Sequence, residues 1–214
     1  MFNFFKKDKP KATISTPEIM GLRLGASFEI DKLAIKLILD ELVIGDFAAT
    51  QIIQAVGKVD MDGTYLFRFY TDDEAWLQVI CEGQPTAENV VDVKLFYYFD
   101  TLDIQNQAQW EKLLNQQIGT PTYTLDGHEY NRVWTSMGDY HNPVHMAEKT
   151  FDGKSQPSET DQFTMLFERE LSDGTTESLF LSAEESLESS GNPSRCLVIS
   201  TGITLSSSQI TIHG

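Results

Sequence analysis

Only two of the 214 residues are cysteine, Cys81 and Cys196, and neither a Cys-x-x-Cys pair nor a disulfide-dense spacing accompanies them. A disulfide-stapled scaffold is thereby excluded. Both fall in predicted strands and are expected as buried, reduced thiols; bridging them would require Cα atoms within about 7 Å of each other. The chain also lacks any run near the roughly 20 apolar residues of a membrane-spanning helix. Its opening Met-Phe-Asn-Phe-Phe-Lys-Lys places aromatics before lysines, the reverse of a signal peptide, with no long apolar region or small-residue cleavage site. A cytoplasmic location is the expectation.

Positive charge is scarce. Sixteen Lys and Arg against 32 Asp and Glu give a net charge of −16. The first eleven residues hold Lys6, Lys7, Lys9 and Lys11 against Asp8 alone, which leaves about −19 on the rest. A body this acidic repels phosphate backbones, so no nucleic acid is expected as a partner. Solubility alone accounts for the acidity.

Motifs for cofactor chemistry are missing as well. No Gly-x-Gly-x-x-Gly, Walker loop, His-Glu-x-x-His or Gly-x-Ser-x-Gly occurs. No cofactor is expected, and no catalytic residue stands out. Asp72-Asp73-Glu74 reads as a hairpin tip, and Ser206-Ser207-Ser208 has no base to activate it.

What the chain has in quantity is aromatic and β-branched residues. A hydrophobic fraction of 41% with 13 Phe, 7 Tyr and 3 Trp rules out a disordered chain, because burial on that scale offsets the entropy of ordering. Between Gln51 and Asp100 extended runs follow one another with almost no spacer: Gln51 to Met61, Thr64 to Tyr70, Ala75 to Cys81 and Val90 to Phe99. At period two, Tyr65, Phe67 and Phe69 share a face, as do Leu77, Val79 and Cys81, and Val91, Val93, Leu95, Tyr97 and Phe99.

Asp-Gly at 62–63, 126–127 and 173–174 marks hairpins, because a type I′ turn needs positive φ at both central residues. The pattern predicts an antiparallel meander rather than βαβ units. Val144 to Phe151 alternates and reads as a short edge strand, and Cys196 to Ser200 and Leu205 to Ile212 as two strands around Gly202. Residues 31 to 42 fit both a helix and a buried strand, with a short helix capped by Asp31 preferred. One main helix, about 106–118, has Asn106 as its cap, an apolar stripe of Trp110, Leu113, Leu114 and Ile118, and Gly119 and Pro121 as its stop. The fold class is α+β, mostly β: an antiparallel meander with this helix packed on the sheet. One β-rich domain is expected over 18–214, preceded by a basic-aromatic arm, 1–17.

Three groups of residues are candidate sites. Asp139, His141, His145 and Glu148 combine imidazole and carboxylate as zinc sites do, but Pro143 breaks the helical i, i+4 spacing and a strand sets such residues about 13 Å apart. They are ordinary loop and edge residues on this reading. Tyr70, Trp76, Ile80, Phe96 and Tyr98 interrupt the polar second face of the central strands, so that face is either covered by the helix or presented to a protein partner. Phe2, Phe4, Phe5, Lys6 and Lys7 form an arm suited to peripheral contact with an anionic membrane through residues 2–11.

Four stretches carry a resemblance: the opening Met-Phe-Asn-Phe-Phe-Lys-Lys; Gly21-Leu-Arg-Leu-Gly-Ala-Ser-Phe-Glu-Ile-Asp31; Arg68-Phe-Tyr-Thr-Asp-Asp73; and Met165-Leu-Phe-Glu-Arg-Glu170 with its Asp-Gly turn. With these the chain resembles the YjfK-like family of uncharacterised bacterial proteins over nearly its whole length. The family supplies no activity or catalytic residues to carry over. Its members are often encoded near phage-shock-type membrane-stress proteins, and the resemblance therefore implies a role at the inner face of the bacterial membrane. The leading expectation is a non-enzymatic interaction module. The alternatives are a small-molecule or lipid binder, with a pocket between helix 106–118 and the strand bearing Tyr65, Phe67 and Phe69, and thirdly a metal-dependent hydrolase.

Overall fold

A computed structural model describes residues 15–44, 46–153, 156–187, 191 and 193–214. Twelve strands follow in order: β1 (Ser27–Ile30), β2 (Thr50–Met61), β3 (Thr64–Thr71), β4 (Ala75–Glu82), β5 (Val90–Asp103), β6 (Thr122–Leu125), β7 (His128–Arg132), β8 (Val144–Phe151), β9 (Ser158–Glu170), β10 (Thr176–Leu187), β11 (Pro193–Thr204) and β12 (Ile210–His213). All pair antiparallel, in the order β12-β1-β2-β3-β4-β5-β11-β10-β9-β7-β6. Strand β8 pairs with both β2 and β9. It thereby joins the two arms of that sheet, and β2-β3-β4-β5-β11-β10-β9-β8 closes into an eight-stranded barrel.

The alternating Val144–Phe151 segment is therefore no edge strand. Two long strands change partners along one side to make room for it. Thr50 to Ile52 of β2 pair with β1 and Val56 to Val59 with β8, the bulge between Ile53 and Ala55 separating the two. In β9, Phe167 and Glu168 pair with β7 and Ser158 to Thr164 with β8. Closure removes the exposed ladder edge that an eight-stranded meander would otherwise present.

Turn chemistry follows local sequence. Asp62 and Gly63 both have positive φ (47° and 100°), as do Asp126 and Gly127 (46° and 78°), giving the tight hairpins expected. At Asp173-Gly174 only the glycine is left-handed, so a longer loop joins β9 and β10. Gly202 makes no turn; it lies inside β11 opposite Phe96, where a Cβ would fall 2.3 Å from Leu95 O and 2.6 Å from the Phe96 ring. Cys196 to Thr204 is thus part of one strand, and both thiols are free. Burial, then Glu184 and Asp103, push the Cys196 thiol up to about 11.

The outside of the barrel carries two apolar clusters. Over β2 to β5, Phe67, Phe69, Leu77, Val79, Cys81, Leu95 and Tyr97 are covered by Ile19, Leu22, Phe28, Ile35, Ile38, Leu42 and Phe47. Here residues 31–42 supply α1 (Lys32–Ile35), with the Asp31 carboxylate accepting from Leu33 N, and a short 3-10 turn at Leu39–Glu41. Bulges in β5 remove Val91 and Phe99 from this face, leaving them 55% and 43% exposed.

Over β9 to β11 lies α2 (Gln107–Lys112), continued by a π turn over Leu113–Gln117. Asn106 Oδ1 accepts from Gln109 N at 3.0 Å as its cap. Trp110, Leu113 and Ile118 pack on Met165, Phe167, Leu179, Leu181, Ala183, Leu197 and Ile199. The helix therefore covers the outer face of the second half of the barrel, and no part of the central strands' second face. That face is the barrel's interior.

A cup in the barrel

Inward-facing residues reach across the lumen to strands that are not their neighbours. Arg68 on β3 donates through Nη1 to Glu148 Oε2 on β8 at 2.5 Å and to Gln162 Oε1 on β9 at 2.6 Å. Both ion-pair partners are 2% exposed. Glu148 Oε1 accepts from Tyr70 OH (2.6 Å) and Thr150 Oγ1 (2.9 Å), so the carboxylate is fully engaged. Burial opposes the Arg68 charge, but Glu148 and Tyr70 outweigh it and hold its pKa above the ordinary value. Burial first, and then the Glu148 charge, push the Tyr70 phenol well above its usual range.

Aromatics wall this pair. The Arg68 guanidinium lies 5.1 Å from the Trp76 ring centre and 5.3 Å from that of Phe180. Trp76 stacks on Phe96 with centroids 4.4 Å apart. Gly57, facing Glu148 from β2, supplies the space: a Cβ there would sit 2.2 Å from Glu148 Oε1.

Beyond this layer the barrel opens into a cup of about 320 Å³. Its walls are Met61, Thr64, Leu66, Ile80, Val144, Met146 and Leu166, with Phe180, Gln78, Asp92 and Lys94 completing the lining. Lys94 donates to Glu168, Ser178 and Thr204 at 3.2, 3.2 and 2.7 Å, so its ammonium is engaged by the wall. Trp134 also lines the cup, from the loop after β7. That loop is pinned to the end of α2: Arg132 donates to Trp134 O, Gly119 O and Asp139 O, and Tyr140 OH to Leu114 O. Gly119 permits the approach, since a Cβ there would meet His141 O at 2.0 Å.

At the barrel's other end Glu184 accepts from Ser182 Oγ and Gln162 Nε2. Burial, with the nearby Glu148 charge, raises its pKa above the ordinary carboxylate value.

This geometry corrects several sequence expectations. Trp76 and Phe96, 3% and 0% exposed, are lumen residues rather than a partner-facing surface. Tyr70 and Ile80 are half-buried on the same lining, and Tyr98 alone of the five is exposed, at 41%. The helix and the aromatic strand do not face each other: Phe67 and Phe69 belong to one outer cluster and Trp110 to the other, packed edge-on to Phe163. The candidate metal set is split by strand alternation. Glu148 points inward to Arg68, whereas His145, on the opposite face of β8, bonds Asp161 at 2.8 Å in an exposed pair. His141 Nδ1 contacts Asn142 O. Among the described residues no group of three or more His, Cys, Asp or Glu is placed to hold a metal ion.

Phe2, Phe4, Phe5, Lys6 and Lys7 lie outside the described residues. No helix among the described residues is long and apolar enough to cross a membrane. Sequence reasoning assigned no role to Arg68, Gln78, Met146 or Trp134. The available signal was a lone arginine in the middle of Tyr-Leu-Phe-Arg-Phe-Tyr.

No solved structure matches this chain. The uncharacterised protein YjfK of Escherichia coli (strain K12) is 29% identical over 213 residues, 98% of this chain and 96% of that protein. A family model described as protein of unknown function (DUF2491) matches residues 1–211. With that match spanning nearly its full length and the similarity to YjfK beside it, the chain belongs to the DUF2491 family.

Proposed function

We propose that this protein is a non-enzymatic binding module whose barrel cup takes a small apolar ligand. The observation that carries the reading is the cup itself: an eight-stranded barrel blocked midway by the Arg68–Glu148 layer leaves about 320 Å³ of largely apolar space above it. That volume falls at the lower end of the roughly 300–1,000 Å³ found for ligand pockets, and eight strands give a lumen able to hold one small molecule. Catalysis is not favoured by the layer below, where Arg68, Glu148 and Tyr70 are committed to one another.

The test is saturation-transfer NMR with ethylbenzene and acetophenone as probes. Wild type is expected to bind at least one of them, and Ile80→Trp, which places an indole in the cup from a half-buried wall position, to abolish the signal. Absence of binding to wild type, or equal binding to the filled variant, overturns the proposal.

A further inference from the structure

One donor in the lining of the cup points to the chemistry of its occupant. Gln78 is 6% exposed and lines the cup. Its Oε1 accepts from Arg68 Nε at 3.2 Å, which fixes the amide with its NH₂ group turned away from Arg68. Among the described residues that Nε2 donates to no protein atom, and it is not among the atoms sealed from solvent. Arg68 Nη2 meets only the thioether of Met146, at 3.5 Å, and a thioether is a weak acceptor. Met146, like Gln78, lines the cup.

Resting on the cup as the ligand site, we propose that its occupant is a neutral molecule with an apolar body and a carbonyl oxygen at its inner end, and that Gln78 Nε2 donates to that oxygen. Charge selects against the alternatives. The Arg68 charge is already matched by Glu148 and the Lys94 charge by Glu168, while Asp92 stands in the wall. An anion would enter a low-dielectric space with no free cation among the described residues and with Glu148 and Asp92 nearby. A cation would face the guanidinium and the Lys94 ammonium and, with the Glu148 oxygens taken, would have Asp92 as its one countercharge among the lining residues. A pure hydrocarbon would seal Gln78 Nε2 from water without a partner, which sites built around a hydrogen bond penalise.

Three probes of similar size separate the carbonyl, hydrocarbon and anion outcomes: acetophenone, ethylbenzene and benzoate, titrated calorimetrically into the full-length protein. Acetophenone is expected to bind about tenfold or more tighter than either of the others. Gln78→Glu keeps an acceptor for Arg68 Nε and replaces the free donor with an oxygen, so acetophenone should fall to the ethylbenzene level. Gln78→Met removes both and should likewise abolish the preference for acetophenone over ethylbenzene. A folded Gln78→Glu variant that keeps the wild-type preference overturns the inference. Equal binding of acetophenone and ethylbenzene, or tightest binding of benzoate, also overturns it but leaves the cup as a ligand site. If none of the three binds, the cup reading falls and this one with it.

Discussion

Arg68 Nη1 lies 2.5 Å from Glu148 Oε2 in the middle of the barrel, where both side chains are 2% exposed. Among the described residues each is the other's only countercharge at bonding distance, so removing either leaves an uncompensated buried charge. Arg68→Ala or Glu148→Ala is expected to cost about 3–5 kcal/mol, read as a lower urea midpoint at unchanged slope. A double replacement by apolar residues of similar volume, Arg68→Met with Glu148→Leu, should recover most of that loss, because an apolar pair carries no desolvation penalty. If the double variant is as unstable as the sum of the singles, the pair is not the unit described.

Gly57 should tolerate no side chain. Its Cβ would fall 2.2 Å from Glu148 Oε1 and 2.7 Å from Cδ, and that carboxylate is held by Arg68, Tyr70 and Thr150. Gly57→Ala is expected to destabilise by about 1–3 kcal/mol, the range for overpacking a filled core. Thermal unfolding of Gly57→Ala beside Gly25→Ala, where nothing lies within 4 Å, controls for the general cost of replacing glycine, although the positive φ of Gly25 adds strain there.

Glu184 should make stability fall as pH rises. Its folded pKa is raised above 4.5, chiefly by burial, with the Glu148 charge adding and Arg68, Ser182 and Gln162 opposing; Tyr98 and Cys196 are its other titratable neighbours. Between 4.5 and the raised value the native state binds more protons than the unfolded chain, so the unfolding free energy decreases with pH across that window. Glu184→Gln keeps a polar side chain without the charge. The variant is expected to be more stable than wild type at pH 7 and to lose part of the slope between pH 4.5 and 7 in denaturant titrations.

Asn106 caps α2 through its bond to Gln109 N. Asn106→Ala should cost about 0.5–2 kcal/mol. Because Arg132 and Tyr140 tie the Trp134 loop to the end of the same helix, hydrogen exchange at Gly119 and His141 should rise with it.

Much of the scaffold was legible because it rests on local rules. Asp62-Gly63 and Asp126-Gly127 dictate tight hairpins through left-handed backbone, and Asn106 with Trp110, Leu113 and Ile118 specifies a capped amphipathic helix. The candidate site was less so. Tyr70, Trp76, Ile80, Phe96 and Tyr98 were recognisable as a second apolar face, but a face that lines a lumen and one that meets a partner have the same period-two pattern.

The sequence by itself determined the antiparallel strands, their turns and the helix, since propensity, alternation and capping act over a few residues. Only the tertiary structure decided that β8 closes a barrel rather than ending a sheet, since its partners β2 and β9 are chosen by register across separate parts of the chain. That one closure brings Arg68 and Glu148, eighty positions apart, into a buried pair across the barrel. No local rule reports a contact of that range.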